Sequence, residues 1–83
     1  MADDKTMYYI YAIKSIARNY IYVGLTSSTE RRIAQHNARK ERTTRSYAPF
    51  KTILIEEFDT RIKARAREKY LKSGTGKEFL KSL

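Results

Sequence analysis

An α+β fold, with a three-stranded antiparallel sheet flanked by three helices in the order β-β-α-β-α-α, follows from three features of the sequence. Residues 7–14 read MYYIYAIK, apolar or aromatic on both alternating faces, as in a strand covered from both sides. Two further strand-like runs, YIYVG at 20–24 and KTILIEEF at 51–58, are set off from it by a polar turn and by a helical stretch. Two S/T-x-x-E sequences, SSTE at 27–30 and TGKE at 75–78, mark helix starts, because each can satisfy two backbone N–H groups reciprocally.

In chain order, the run at 7–14 is the central strand, and the polar stretch 14–19 closes a hairpin onto the strand at 20–24. Ser27 caps a first helix that runs from about residue 28 to 39 or 40, with Glu30 completing the box. Residues 41–50, ERTTRSYAPF, hold the only proline and read as a loop, in which Pro49 drives Ala48 into an extended conformation. The third strand spans 51–58. Asp59 or Thr60 caps a second helix, which ends at Ser73-Gly74 with the glycine expected in the left-handed position after the helix. The box at 75–78 opens a short third helix, with Phe79, Leu80 and Leu83 expected to face the core.

Eighty-three residues suffice for one domain, here residues 7–83 behind a flexible tail at 1–6. A chain of this size buries only about 60–65% of its unfolded surface, so its stability margin is thin. No cysteine is present, so neither disulfides nor thiolate metal sites reinforce it. The start MADDKT is unlike a signal peptide and no apolar run reaches membrane length, which reads as a soluble cytoplasmic protein. Eighteen Lys and Arg against nine Asp and Glu leave a net charge of +9. That footprint points to a nucleic-acid partner, with an anionic membrane surface or an acidic protein as the other readings.

On the first helix, Ile33, Ala34, Asn37 and Ala38 share the face expected to pack on the sheet. Arg32 and His36, at i and i+4, stack beside it with Arg39 on the same flank. Taken from the helix alone, Arg32 and His36 read first as solvated side chains, the imidazole at most meeting a backbone carbonyl. Together they could also meet a phosphate. The second helix has six basic residues between Arg61 and Lys72 and one acid, Glu68, in line with Ala64 and Leu71. A carboxylate in that stripe needs a positive partner: Arg65 or Lys72 within the helix, or a divalent cation.

The other acids are committed elsewhere. Glu30, Asp59 and Glu78 serve caps, Glu41 opens the loop, and Glu56 and Glu57 point to opposite faces of their strand. Glu68 is thus the metal-ligand candidate. One carboxylate with waters and a substrate phosphate is a recognised Mg²⁺ arrangement. Tyr9 and Tyr11 share a face of the first strand, and Tyr20 and Tyr22 a face of the second. Cross-strand aromatic pairing accounts for part of this, but four phenols load a small core with hydroxyls that need partners. A nearby cation (Arg32, His36⁺ or a metal) would lower the phenol pKa from its usual value near 10.

Tyr9-Ile10-Tyr11, Tyr22-Val23-Gly24, Arg32 with His36 one turn on, and Glu68 in Arg-Glu-Lys form a pattern that resembles the GIY-YIG nucleases. It is most similar to the small single-domain branch that looks like the N-terminal nuclease module of the bacterial excinuclease. The resemblance covers nearly the whole chain after residue 6. It implies a three-stranded antiparallel sheet with flanking helices and a metal-assisted phosphodiesterase acting on DNA in repair or recombination. It further implies that Tyr11 orients or deprotonates water, Tyr22 binds phosphate or assists that transfer, and Arg32 stabilises phosphoryl charge. His36 would position the nucleophile, and Glu68 would hold one Mg²⁺ or Mn²⁺.

Three positions depart from the pattern: Tyr9 replaces the usual Gly, Leu25 stands where the excinuclease branch carries lysine, and no late asparagine is evident in residues 75–83. Basic residues around 40–45 and 61–72 would hold the DNA backbone without sequence preference: Arg31, Arg39, Lys40, Arg42, Arg45, Arg65, Lys69 and Lys72. A partner protein or a homodimer would supply substrate recognition. The rival reading is a basic nucleic-acid-binding module without catalysis, with tyrosines stacking on bases and Glu68 in a salt bridge.

Overall fold

The computed structural model describes residues 6–83; of the tail expected over 1–6, the first five lie outside the described residues. Strands β1 (Tyr8–Ser15) and β2 (Ile21–Thr26) form an antiparallel hairpin, and β3 (Phe50–Phe58) pairs antiparallel with the other side of β1. Sheet order is β2-β1-β3, so the run that reads as a doubly covered strand is indeed central. Helix α1 (Thr29–Asn37) follows β2, α2 (Arg61–Leu71) follows β3, and α3 (Gly74–Lys81) comes after Lys72 and Ser73. A 3₁₀ turn, Arg45–Tyr47, lies in the loop before β3. The order is β-β-α-β-α-α, an α+β fold.

Strand alternation divides the core in two. Ile10 and Ala12 of β1, with Val23 of β2, pack against Ala64 and Leu71 of α2 and Leu80 of α3. Tyr11 and Ile13 point the other way, into a cluster with Ala48 and Phe50 that Tyr20, Tyr22, Tyr47 and Ile33 of α1 complete. Each large aliphatic side chain buried this way contributes about 1.5–3 kcal/mol. On β3, the register passes from Ala12↔Leu54 to Ile13↔Thr52, leaving Ile53 as the extra residue of a bulge.

The helix ends differ from expectation in instructive ways. The residue capping α1 is Ser28, not Ser27, and it makes no side-chain capping bond; the Thr26 hydroxyl accepts the Ser28 N–H instead. Thr60 caps α2 by accepting the Lys63 N–H, while Asp59 pairs with Lys63. Gly74 is not left-handed and no described glycine has positive φ. Ser73 makes that turn: its hydroxyl donates to the Tyr70 carbonyl at the end of α2 and accepts the Gly76 N–H at the start of α3. Thr75 therefore lies inside α3, and Glu78 pairs with Lys81 rather than closing a capping box. Leu80 is buried as expected, whereas Phe79 and Leu83 are exposed rather than facing the core.

Helix α1 is also rotated from the expected face. Ala34 and Ala38 are exposed and His36 is fully buried. Asn37 does reach the sheet, but through its amide: its Oδ1 accepts the Phe50 N–H at 2.6 Å and its Nδ2 donates to the Phe50 carbonyl. On the far face, Arg67 of α2 forks onto Glu56 of β3 at 2.7 and 3.1 Å. The same guanidinium lies over the rings of Tyr70 and Phe79, joining β3, α2 and α3.

Candidate active site

The site grows from the pairing of β1 with β2. Tyr11 stands opposite Gly24, and a Cβ at Gly24 would lie 2.5 Å from the phenol Cζ and hydroxyl oxygen. The missing side chain on the edge strand is what lets the Tyr11 ring pass across it. Its hydroxyl then comes to 2.9 Å from His36 Nε2, and His36 Nδ1 is 2.8 Å from Thr44 Oγ1. Tyr11, His36 and Thr44 are all essentially inaccessible. Tyr22, on the same face and half-buried, packs its ring 4.8 Å from the imidazole and 6.2 Å from the Tyr11 ring. Arg32, one helical turn before His36 and partly exposed, donates to Glu41 Oε2 and Gln35 Oε1, both at 2.7 Å.

Burial governs the protonation of this chain. It pushes the Tyr11 phenol up to about 12, with Tyr22 adding to the rise; Arg32 pulls the other way and loses. The expected lowering of the phenol pKa by neighbouring cations is thus overturned at Tyr11. Burial, then the Arg32 charge, pushes the His36 imidazole below 6.5. At neutral pH both groups are uncharged, and a neutral imidazole has one donor and one acceptor. A phenol donates more strongly than an aliphatic hydroxyl, so the network assigns Tyr11 O–H to Nε2 and Nδ1–H to the Thr44 oxygen. Glu41, hydrogen-bonded to Arg32, is held below the usual carboxylate range.

Four of the five residues expected to be catalytic therefore converge: Tyr11, Tyr22, Arg32 and His36. Reading His36 as solvated fails, because both imidazole nitrogens have buried partners that offset the cost of burying the ring, whereas Arg32 stays partly exposed in its pair with Glu41. Glu68 does not join them. It lies on α2, which covers the opposite face, and its carboxylate accepts from Arg65 at 3.3 Å and from Lys72 at 3.2 Å. The side chain is 13% exposed, as a place between Ala64 and Leu71 implies.

Among the basic candidates, Arg31, Lys40, Arg42, Arg45 and Lys69 are exposed, while Arg65 and Lys72 are exposed but paired with Glu68. Arg39 serves the loop. With φ 62° it takes the left-handed place after α1, and its guanidinium donates to the carbonyls of Arg45 and Ala48. Sequence reasoning missed Thr44 and Glu41. The only histidine, once buried, requires two polar partners, and the hydroxyls of Thr43 and Thr44 were the signal for one of them.

Among the described residues no helix is long and apolar enough to cross a membrane, and no cluster of three or more His, Cys, Asp or Glu could hold a metal. Residues 7–81 match the family model described as "GIY-YIG catalytic domain". The chain is 36% identical over 67 residues to a UPF0213 protein of Natronomonas pharaonis, covering 80% of this chain and 78% of that one. It is 36% identical over 69 residues to a UPF0213 protein of Haloquadratum walsbyi, covering 82% and 76%. It is 32% identical over 77 residues to a UPF0213 protein of Staphylococcus haemolyticus, covering 92% and 93%. With the motif tyrosines, the arginine and the histidine gathered on one face of a sheet of the expected order, the chain belongs to the GIY-YIG family, a nuclease-type family.

Proposed function

We propose that this protein is a divalent-metal-dependent endonuclease that hydrolyses DNA phosphodiester bonds, serving DNA repair or recombination in the cytoplasm. One observation carries the reading: a buried Tyr11–His36–Thr44 hydrogen-bond chain beside a partly exposed Arg32. An apolar core has no need of that chain, whereas proton transfer next to a bound phosphate does.

In this reading a scissile phosphate exchanges with Glu41 on Arg32, whose guanidinium then stabilises charge on the non-bridging oxygens. Tyr22, half-buried alongside, binds the same phosphate. The attacking water would have to reach the buried Tyr11 hydroxyl from the side of these two residues, once Glu41 has moved off Arg32. As the water oxygen bonds to phosphorus, Tyr11 takes its proton and passes the phenol proton to His36 Nε2. The phosphorus–O3′ bond breaks, the 3′ oxygen takes a proton from solvent, and His36 returns its extra proton through Tyr11 to solvent, restoring the neutral chain. Thr44 keeps the imidazole in the tautomer that can accept.

No cage of three or more protein ligands for a metal exists among the described residues, and Glu68, the carboxylate expected to hold the ion, does not fit a site at this phosphate, because α2 places it across the sheet from Tyr22 and Tyr11. An ion at the phosphate would supply charge neutralisation there and at the leaving oxygen. Arg31, Lys40, Arg42, Arg45 and Lys69 would hold the DNA backbone, and a partner protein or second copy would select the substrate. A specific observation favours the rival binding module: both Glu68 oxygens are already satisfied, on the helix opposite the tyrosine face.

Plasmid nicking with Mg²⁺ or Mn²⁺ decides between them. Tyr11→Phe should abolish cutting while DNA binding persists, and loss of cutting in Glu68→Ala would show that its carboxylate takes part despite its place across the sheet. Binding without cutting of duplex, branched or single-stranded DNA in either metal would leave only the binding module.

A further inference from the structure

On the face of the sheet away from Tyr11, a cleft of about 440 Å³ opens between β2 and α3. Its floor is apolar, made by Ile21, Val23 and Leu80, and its rim carries Lys72, Lys77 and Lys81. Lys77 and Lys81 lie one turn apart on the same flank of α3, and Lys72 projects from the end of α2. Packing on α2 fixes the α3 wall. A Cβ at Gly76 would collide with the Tyr70 carbonyl oxygen and lie 2.5 Å from the Leu71 Cα, so glycine there is what lets α3 lean on α2.

No acidic residue lines the cleft. Lys81 meets exposed Glu78 at 3.7 Å, Lys72 meets Glu68 at 3.2 Å, and Lys77 has no ion-pair partner among the described residues. Three ammonium groups around an apolar floor call for a ligand with a compact multiple negative charge and a flat apolar body. The volume is in the range of small-molecule sites, about 300–1,000 Å³.

We propose that this cleft binds a nucleoside phosphate, its base on the Ile21–Val23–Leu80 floor and its phosphate among Lys72, Lys77 and Lys81. An inorganic anion would leave the floor unused, and an uncharged nucleoside would leave the lysines unanswered. The phosphate competes with Glu68 for Lys72, so the cleft and the Glu68 carboxylate share one cation. A free nucleotide and the phosphorylated end of a nucleic-acid strand offer the same chemistry.

Calorimetric titration of the intact protein at low salt tests this with AMP, inorganic phosphate, adenosine and a 5′-phosphorylated DNA duplex. AMP should bind at least about tenfold more tightly than phosphate or adenosine. Lys77→Glu should weaken AMP about tenfold, and Lys51→Glu, on the exposed surface of β3 at the other edge of the sheet, by less than about twofold. Glu68→Gln, by releasing Lys72, should tighten AMP by about twofold or more.

A free nucleotide is the ligand if AMP outcompetes the duplex, and a strand end if the phosphorylated duplex binds more tightly and removal of its 5′ phosphate cancels the gain. AMP binding no tighter than inorganic phosphate, or weakened equally by Lys51→Glu and Lys77→Glu, would overturn the site. Unchanged affinity in Glu68→Gln would remove Lys72 from it. Unaltered circular dichroism of each variant excludes unfolding as the cause.

Discussion

Tyr11, His36 and Thr44 tolerate burial because each polar atom in the chain fills a neighbour's need, and no buried side-chain polar atom among the described residues lacks a partner. Thr44→Val keeps the shape but leaves the His36 Nδ1–H without an acceptor. It should destabilise the fold by about 1–3 kcal/mol, read as a fall in thermal midpoint, and alter the imidazole nitrogen resonances of His36. The same burial sets a pH dependence. His36 titrates below 6.5 in the fold, so above about 6.5 it is neutral in both states and folding is unaffected. As pH falls below that, the unfolded chain binds a proton that the folded chain refuses, and stability drops. Tyr11 acts at the other end: between pH 10 and about 12 the unfolded phenol ionises first, and stability falls as pH rises. Urea denaturation at pH 5.5, 7.5 and 11 should show both losses, and His36→Gln should flatten the acid one. An identical acid slope in that variant would contradict the assignment.

At the level of elements, the strands were legible and the helix faces less so. The run MYYIYAIK is apolar on both sides because helices cover both faces of β1, and period-2 reading captures that directly. The inner face of α1 was misread because a histidine counts as polar until its partners are known, and those partners lie 25 and 8 residues away. The turn between α2 and α3 was misread because glycine after a helix usually marks a left-handed residue, whereas here Ser73 closes the turn and Gly74 begins the next helix. Two glycines two positions apart make this testable. A Cβ at Gly74 meets nothing within 4 Å, so Gly74→Ala should stabilise by about 0.4–1 kcal/mol. Gly76→Ala forces α3 off α2 and should cost about 1–3 kcal/mol. Thermal melts moving in the same direction would refute this account of the turn.

For the molecule as a whole, the +9 charge was the plainest signal of a polyanionic partner, and the structure divides it into residues free to meet one and residues already committed. Arg42 is exposed, while Arg39 supports the loop through two carbonyls. Arg42→Ala should lower the slope of log affinity for duplex DNA against log salt by about 1 with little change in melting temperature. Arg39→Ala should do the reverse, lowering the melting temperature more than the slope; salt titrations by fluorescence anisotropy separate them. The gathering of Tyr11, Tyr22, Arg32 and His36 was legible because family motifs preserve spacing along consecutive elements. The position of Glu68 was not, because amphipathic patterning says which side of a helix is buried but not which side of the sheet it covers.

The Arg67 fork on Glu56, with its guanidinium over Tyr70 and Phe79, bears on kinetics as well as strength. Held against β3 and α2 in this way, the α3 wall of the recess cannot fold over a guest. Whatever occupies the lysine-rimmed recess should enter and leave in a single step at a rate set by diffusion and charge attraction, with no slow conformational phase in stopped-flow traces.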